Sequence, residues 1–227
     1  MVDVLLLELE GVLVDTHAAR LASLREACAS RGVDASHAEL EPGTAVRTSV
    51  LGAMTAAGQP ADDVLADLMA LDAERAFSRG LSVGGVALQP WARQFMDRAT
   101  ASVRLAIVTR VRRADTDAIL RLSGLAGAFA CIVTCDDIFD PKPSPAGMQL
   151  ALDRLARQRP VVHTAVLALE DGTDGIRAAR SAFVRSVAVG AIPPHAAIEA
   201  DAYVASLDGH TPASLDALSA PGRERVQ

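Results

Sequence analysis

The feature that most constrains the fold is the short apolar run Val-Leu-Leu-Leu at residues 4–7, which stops abruptly at Glu8, Leu9, Glu10 and Gly11. An unbroken apolar run of this length fits a strand covered on both faces, the kind found in parallel sheets. The C-terminal ends of such strands are where open α/β sheets bind ligands. Two carboxylates two residues apart at that end are expected to fall on the same side. Taken alone, the stretch reads equally well as an exposed strand end whose acids serve solubility.

The rest of the chain alternates in the way such a sheet requires. Residues 103–109, 130–134, 164–169 and 184–189 are further strand-like runs. Helical stretches are expected from Pro90 to about Thr100, up to about Ser123, up to about Arg157, and from about Thr173. Strand–helix alternation predicts a doubly wound parallel α/β sheet. One block breaks the pattern. Residues 17–82 hold three helical stretches and no strand-like run. Leu21, Leu24 and Cys28 mark the first, and Val46, Val50 and Met54 the second. Val64, Leu68 and Leu71 mark the third, capped by Asp62 or Asp63 and ending near Gly80. The predicted organisation is an α/β core made of residues 1–16 and 83–227, with an all-helical cap of residues 17–82 inserted over the ligand crevice. The tail from Ile192 is expected to hold one short strand near Tyr203 and a polar, frayed end.

Composition narrows the function. Aromatic residues make up 3% of the chain and the formal net charge is −6, which argues against nucleic-acid binding. No apolar run approaches the ~20 residues that span a bilayer. No signal segment is evident, and Cys28, Cys131 and Cys135 lack metal-ligand spacing. The expectation is a cytoplasmic protein with reduced, mostly buried thiols. Neither nucleic acid nor membrane is expected as a partner, and the state is expected to be monomeric or homodimeric.

Four strand ends carry polar groups: Glu8 and Glu10, Thr109, the loop bearing Lys142, and Glu170 with Asp171. In a parallel sheet these ends share one edge. Their order and surroundings resemble the haloacid dehalogenase-like (HAD) hydrolases, in the helical-cap subgroup similar to phosphoglycolate phosphatase and β-phosphoglucomutase. Glu8-Leu-Glu-Gly-Val-Leu-Val-Asp-Thr16 is similar to that family's first motif, Asp-x-Asp-Gly-(Thr/Val)-Leu-x-Asp-(Ser/Thr). Leu105-Ala-Ile-Val-Thr109 is similar to the second. Lys142-Pro-Ser-Pro145 matches the third. Leu169-Glu-Asp-Gly-Thr-Asp-Gly-Ile-Arg-Ala-Ala179 matches the fourth, Glu-Asp-Ser-x-x-Gly-Ile-x-Ala-Ala.

The resemblance implies roles. Glu8 would be the nucleophile and Glu10 the general acid and base. Thr109 and Lys142 would bind phosphoryl oxygens. Mg²⁺ would be held by Glu8, Glu170, Asp171 and the backbone carbonyl of Glu10. Converging carboxylates repel one another unless a cation joins them, and Mg²⁺ with oxygen ligands meets that need. In the helical block, His17, Arg20 and Arg47 could face the crevice and contact substrate, or be ordinary surface. Arg110, where the family often has Asn, could add a phosphate contact or pair with an acid.

The departures matter as much. Both acids of the first motif are Glu where the family has Asp. One extra methylene moves the carboxylate by up to ~1.5 Å, and a misplacement near 1 Å can cost ~10²-fold in rate. Trp91 and Phe183 stand where the family usually has Gly. The resemblance with these departures implies two functions: a Mg²⁺-dependent phosphatase or phosphomutase acting on a small phosphorylated metabolite, and a degenerate relative that binds a phosphorylated ligand or partner without turnover. A dehalogenase fits less well, since that branch does not need the second acid or a metal.

Overall fold

The computed structural model of the protein describes residues 1–41 and 43–220. Its core is a sheet of six parallel strands among the described residues. They are β1 (Val4–Leu7), β4 (Arg104–Val108), β5 (Cys131–Val133), β6 (Val166–Glu170), β7 (Arg185–Val189) and β8 (Ala202–Val204), in the order β5-β4-β1-β6-β7-β8. β1 is central, and Leu7 lies beside Ile107 on one side and Leu169 on the other. From β1 the chain winds outward through β4 and β5, then returns to β6 on the other flank and winds the opposite way. That reversal leaves a crevice beyond the end of β1, where doubly wound sheets place their ligands.

Helices cover both faces, as the apolar strands demand. Leu5, Leu7, Leu105, Ile107, Leu167 and Leu169 pack with Phe95 and Met96 of α4 (Ala92–Thr100), Ile119 of α5 (Arg113–Leu122) and Leu215 of α9 (Pro212–Leu218). Val4, Leu6, Ala106 and Ala168 pack with Met148 and Leu155 of α6 (Ala146–Gln158) and Ala179 of α7 (Thr173–Ser181). Each fully buried Leu of this kind contributes ~1.5–3 kcal/mol.

Between the first strand and α4 the chain makes β2 (Val14–Asp15), three helices and β3 (Ala87–Leu88). β2 and β3 pair antiparallel. This small ribbon was not expected. It brings the two ends of the helical insertion together, and two residues per strand are too few to show periodicity. The insertion comprises α1 (His17–Ala29), α2 (Val46–Ala56) and α3 (Asp63–Gly84), which share an apolar centre of Leu24, Cys28, Val50, Met54 and Met69. Asp62 caps α3 by accepting from the Leu65 N–H.

The inward face of α3 differs from expectation. Ala66, Met69, Ala73, Ala76 and Phe77 are buried, while Val64 is 70% and Leu68 43% exposed. Small residues let α3 approach α1 and α2 closely, so the larger aliphatic stripe is turned outward. The tail also holds more order than expected, with α8 (Pro194–Ala197) and α9 besides β8. The polar end at 221–227 lies outside the described residues. No helix of the described chain is long and apolar enough to cross a membrane.

Candidate active site

The pleat that turns Val4 and Leu6 toward α6 and α7 turns Glu8 the same way, and the pleat of β6 does the same for Glu170. Lys142, in the loop before α6, inserts between them. Its Nζ lies 2.8 Å from Glu8 Oε2 and 2.8 and 2.7 Å from the two Glu170 oxygens. Asp171 follows directly, and Glu8, Glu170 and Asp171 each offer an oxygen within 4.8 Å of the others. All four side chains are buried. Two glycines make room. A Cβ on Gly175 in α7 would overlap Glu170 Oε2, and one on Gly11 would overlap Asp171 Oδ2. Gly11 also has φ +74, a conformation that other residues adopt only under strain.

Charge is unbalanced here: one ammonium faces three carboxylates. Burial, with the nearby Glu8 charge adding to it, pushes Glu170 up to about 7 despite Lys142. Burial and the neighbouring Glu8 and Glu170 push Asp171 well above the carboxylate range. Burial also opposes ionisation of Glu8, but the Lys142 charge and hydrogen bonds from Lys142 and Thr109 outweigh it and hold the carboxyl low. Glu170 and Glu8 likewise outweigh the burial of Lys142 and raise it. Among the described residues Asp171 receives no hydrogen bond or ion pair. A cluster of hard oxygen donors with surplus negative charge is compatible with a divalent cation of the Mg²⁺ type.

A cavity of about 810 Å³ opens above this cluster, between the sheet edge and the helical insertion. Glu8, Glu10, Thr109, Asp171, His17, Arg20, Arg47 and Arg110 all border it. They do not form one group. Strand alternation runs out after Glu8, and the chain curls so that the Leu13 and Val14 N–H groups both donate to the Leu9 carbonyl. Glu8 and Glu10 therefore diverge instead of sharing a side.

The Glu10 carboxylate stands apart from the three-acid cluster. Its Oε1 accepts from Thr16 Oγ1 at 2.7 Å and from Arg20 Nε at 2.9 Å. Its Oε2 accepts nothing among the described residues. A backbone-carbonyl role for Glu10 does not depend on where this side chain goes.

Arg20 is neither surface nor a free anion anchor. It is buried, bridges Glu10 to Glu74 of α3, and stacks 3.6 Å from the Phe77 ring centroid. Arg47 is held by Asp63 and, at 2.6 Å, by Asp67. Both cationic side chains are thus already neutralised by acids that the sequence reading did not assign to them. Arg110 pairs with Asp174 at 2.8 Å and donates to the Gly43 carbonyl of the insertion. His17 is exposed at the rim.

A family model of haloacid dehalogenase-like hydrolases matches residues 5–189. The chain belongs to this family. It is 28% identical over 197 residues to Protein CbbY of Cereibacter sphaeroides, covering 82% of this chain and 84% of that protein. The crystal structure of CbbY from Rhodobacter sphaeroides in complex with phosphate matches it with a TM-score of 0.73. That match is at 24% identity, over 95% of this chain and 100% of that one. β-Phosphoglucomutase from Clostridium difficile matches with a TM-score of 0.72 at 16% identity, over 96% and 97%. At those identities the two structures establish a shared fold.

Within this HAD-like framework, the longer Glu8 side chain has a visible consequence. Its Oε1 folds back to accept the N–H of Leu9 at 2.8 Å, while Oε2 takes Lys142. Trp91 also has a defined place: its Nε1 donates to the Val12 carbonyl at 2.9 Å and the ring borders the cavity. Asp174 and Glu74 were missed as site residues. Their signals, one acid in the first turn of α7 and one on α3, are indistinguishable in sequence from ordinary surface charges.

Proposed function

We propose that the protein is a Mg²⁺-dependent phosphoric monoester hydrolase, or a phosphomutase variant of one, acting on a small phosphorylated metabolite. The helical insertion, residues 17–82, serves it as a cap over a core of residues 1–16 and 83–227, as in the helical-cap branch of the family. The observation that carries this reading is the meeting of Glu8, Glu170, Asp171 and Lys142 beneath one cavity, from three separate chain segments.

In this reading Glu8, Glu170 and Asp171 hold the cation, which when bound offsets charge on the phosphoryl oxygens. Glu8 attacks phosphorus, and the ester P–O bond breaks to leave an acyl phosphate. The departing alcohol takes its proton from Glu10, which borders the cavity and whose Oε2 accepts no hydrogen bond among the described residues. Glu10 then removes a proton from the water that hydrolyses the acyl phosphate, restoring Glu8 and releasing phosphate. Lys142 and Thr109 lower the energy of the charge that develops.

One observation favours a second reading, a ligand-binding protein without turnover. The Glu8 carboxylate already takes up the Leu9 N–H, Thr109 and Lys142, donors that an incoming phosphate would need. Phosphate release from p-nitrophenyl phosphate separates the two. Turnover by the wild type that EDTA abolishes and Mg²⁺ restores supports the enzyme. No turnover in the wild type, with activity gained in Glu8→Asp, establishes the second reading.

A further inference from the structure

We infer that the alcohol released from the substrate is uncharged and partly apolar, so that the protein takes simple monoesters in preference to bisphosphates or phospho-acids. The inference deepens the phosphatase reading and rests on it. Four arginines border the cavity, and three are already paired with acids. Arg20 is matched by Glu10 and Glu74, Arg47 by Asp63 and Asp67, and Arg110 by Asp174. A second anion on the insertion side would have to displace one of these acids or sit beside it, at a Coulombic cost that a partly desolvated cavity magnifies.

What the insertion does offer is aliphatic surface. Leu40, Val46, Ala70 and Leu71 line its side of the cavity, and Trp91 and Val189 line the core side. Trp91 has already placed its N–H on Val12, so its ring presents apolar area. The stripe of α3 that was expected to be buried continues this surface outward: Leu71 in the wall is followed by Leu68 and Val64 at helical spacing, both exposed. Apolar walls around a few polar groups select for an apolar body on the ligand.

The fourth arginine, Arg112, is exposed at the rim, and its guanidinium makes no ion pair or hydrogen bond among the described residues. It is the competing possibility, the one place where a second anion could be met without displacing an acid.

The test is a series of n-alkyl phosphates from methyl to hexyl with Mg²⁺, because the leaving-group chemistry barely changes while apolar area grows. KM is expected to fall by about fourfold per methylene over the first few carbons. Butyl phosphate should exceed fructose 1,6-bisphosphate and phosphoglycolate at least tenfold in kcat/KM. Leu71→Lys should flatten the chain-length dependence and improve the bisphosphate.

A flat series overturns the inference. So does a bisphosphate preference, and its loss in Arg112→Ala would then identify the rim arginine as the anion site. Thermal stabilisation by the same ligands reads the ranking without turnover. A ranking by chain length with no turnover defeats the phosphatase reading alone, and no stabilisation by any of them defeats the inference as well.

Discussion

The sheet edge and the helical insertion both carry buried charge at the same cavity, but they handle it in opposite ways. At the sheet edge Glu8 and Glu170 share one lysine, and the third carboxylate, Asp171, has no partner among the described residues. In the insertion, Arg20 and Arg47 each have two acids. The cationic side chains that the insertion turns to the cavity are matched as they stand. The carboxylates of the sheet edge are not, and leaving charge unmatched in a buried place is tolerated where something else is meant to bind. In the proposed function, chemistry belongs to the sheet edge and shape selection to the insertion.

The sharpest way to break that contrast is Asp171→Asn. Removing this charge should lower Mg²⁺-dependent phosphate release by ~10²–10³-fold or more, the cost of losing one electrostatic stabiliser. It should also raise the melting temperature in Mg²⁺-free buffer, because Asp171 ionises only against burial and its acidic neighbours. Activity and stability moving in opposite directions is the signature; a fall in both would mean that the acid is structural.

Met69→Ala attacks the other region. It removes a fully buried side chain from the centre of the insertion and should cost ~2–5 kcal/mol. Thermal unfolding should show a lower midpoint, with the Mg²⁺-induced shift retained. Gly175→Ala, which drives a Cβ onto Glu170, should cost less, ~1–3 kcal/mol for overpacking. Yet it should diminish the Mg²⁺ shift that Met69→Ala preserves.

The two regions should also differ in pH response. In the folded protein Glu170 keeps its proton up to about 7, against a usual 4.5. The folded state thus binds more protons than the unfolded chain within that window, and stability without metal falls as pH rises through it. The cation competes with that proton, so calorimetric stabilisation by Mg²⁺ should grow between pH 5 and pH 7, read as about two assay points on either side of 6.

The smallest effect expected is at Phe183, which is 87% exposed with φ +58. Nothing in the packing explains a bulky residue there. Phe183→Gly should relieve left-handed strain, partly offset by the entropy of Gly, for a gain of at most ~1 kcal/mol by chemical denaturation. Mg²⁺ response should be untouched.

The sheet was legible in the sequence because its strands are buried on both faces and read as unbroken apolar runs. The site was legible as far as it lies on those strand ends or in the loop bearing Lys142, which carries a specific local pattern. Legibility ended where side chains choose partners across the fold. That Glu10 leaves Glu8 for Arg20 follows from the curl after Glu8, which no periodicity announces. That Arg47 belongs to Asp63 and Asp67 follows from the packing of α2 on α3. The inward face of α3 was misread because its contacts run through alanines, and a search for large apolar residues passes over them.

The clamp on Glu10 links two motions that could otherwise be independent. Arg20 and Glu74 travel with the insertion, whereas Glu10 belongs to the sheet side. Any swing of the insertion away from the sheet tugs on the very carboxylate proposed to shuttle the proton. In the proposed enzyme, admitting solvent and disarming the acid would then be a single mechanical event, and a half-open molecule would be protected from idle hydrolysis by its own linkage.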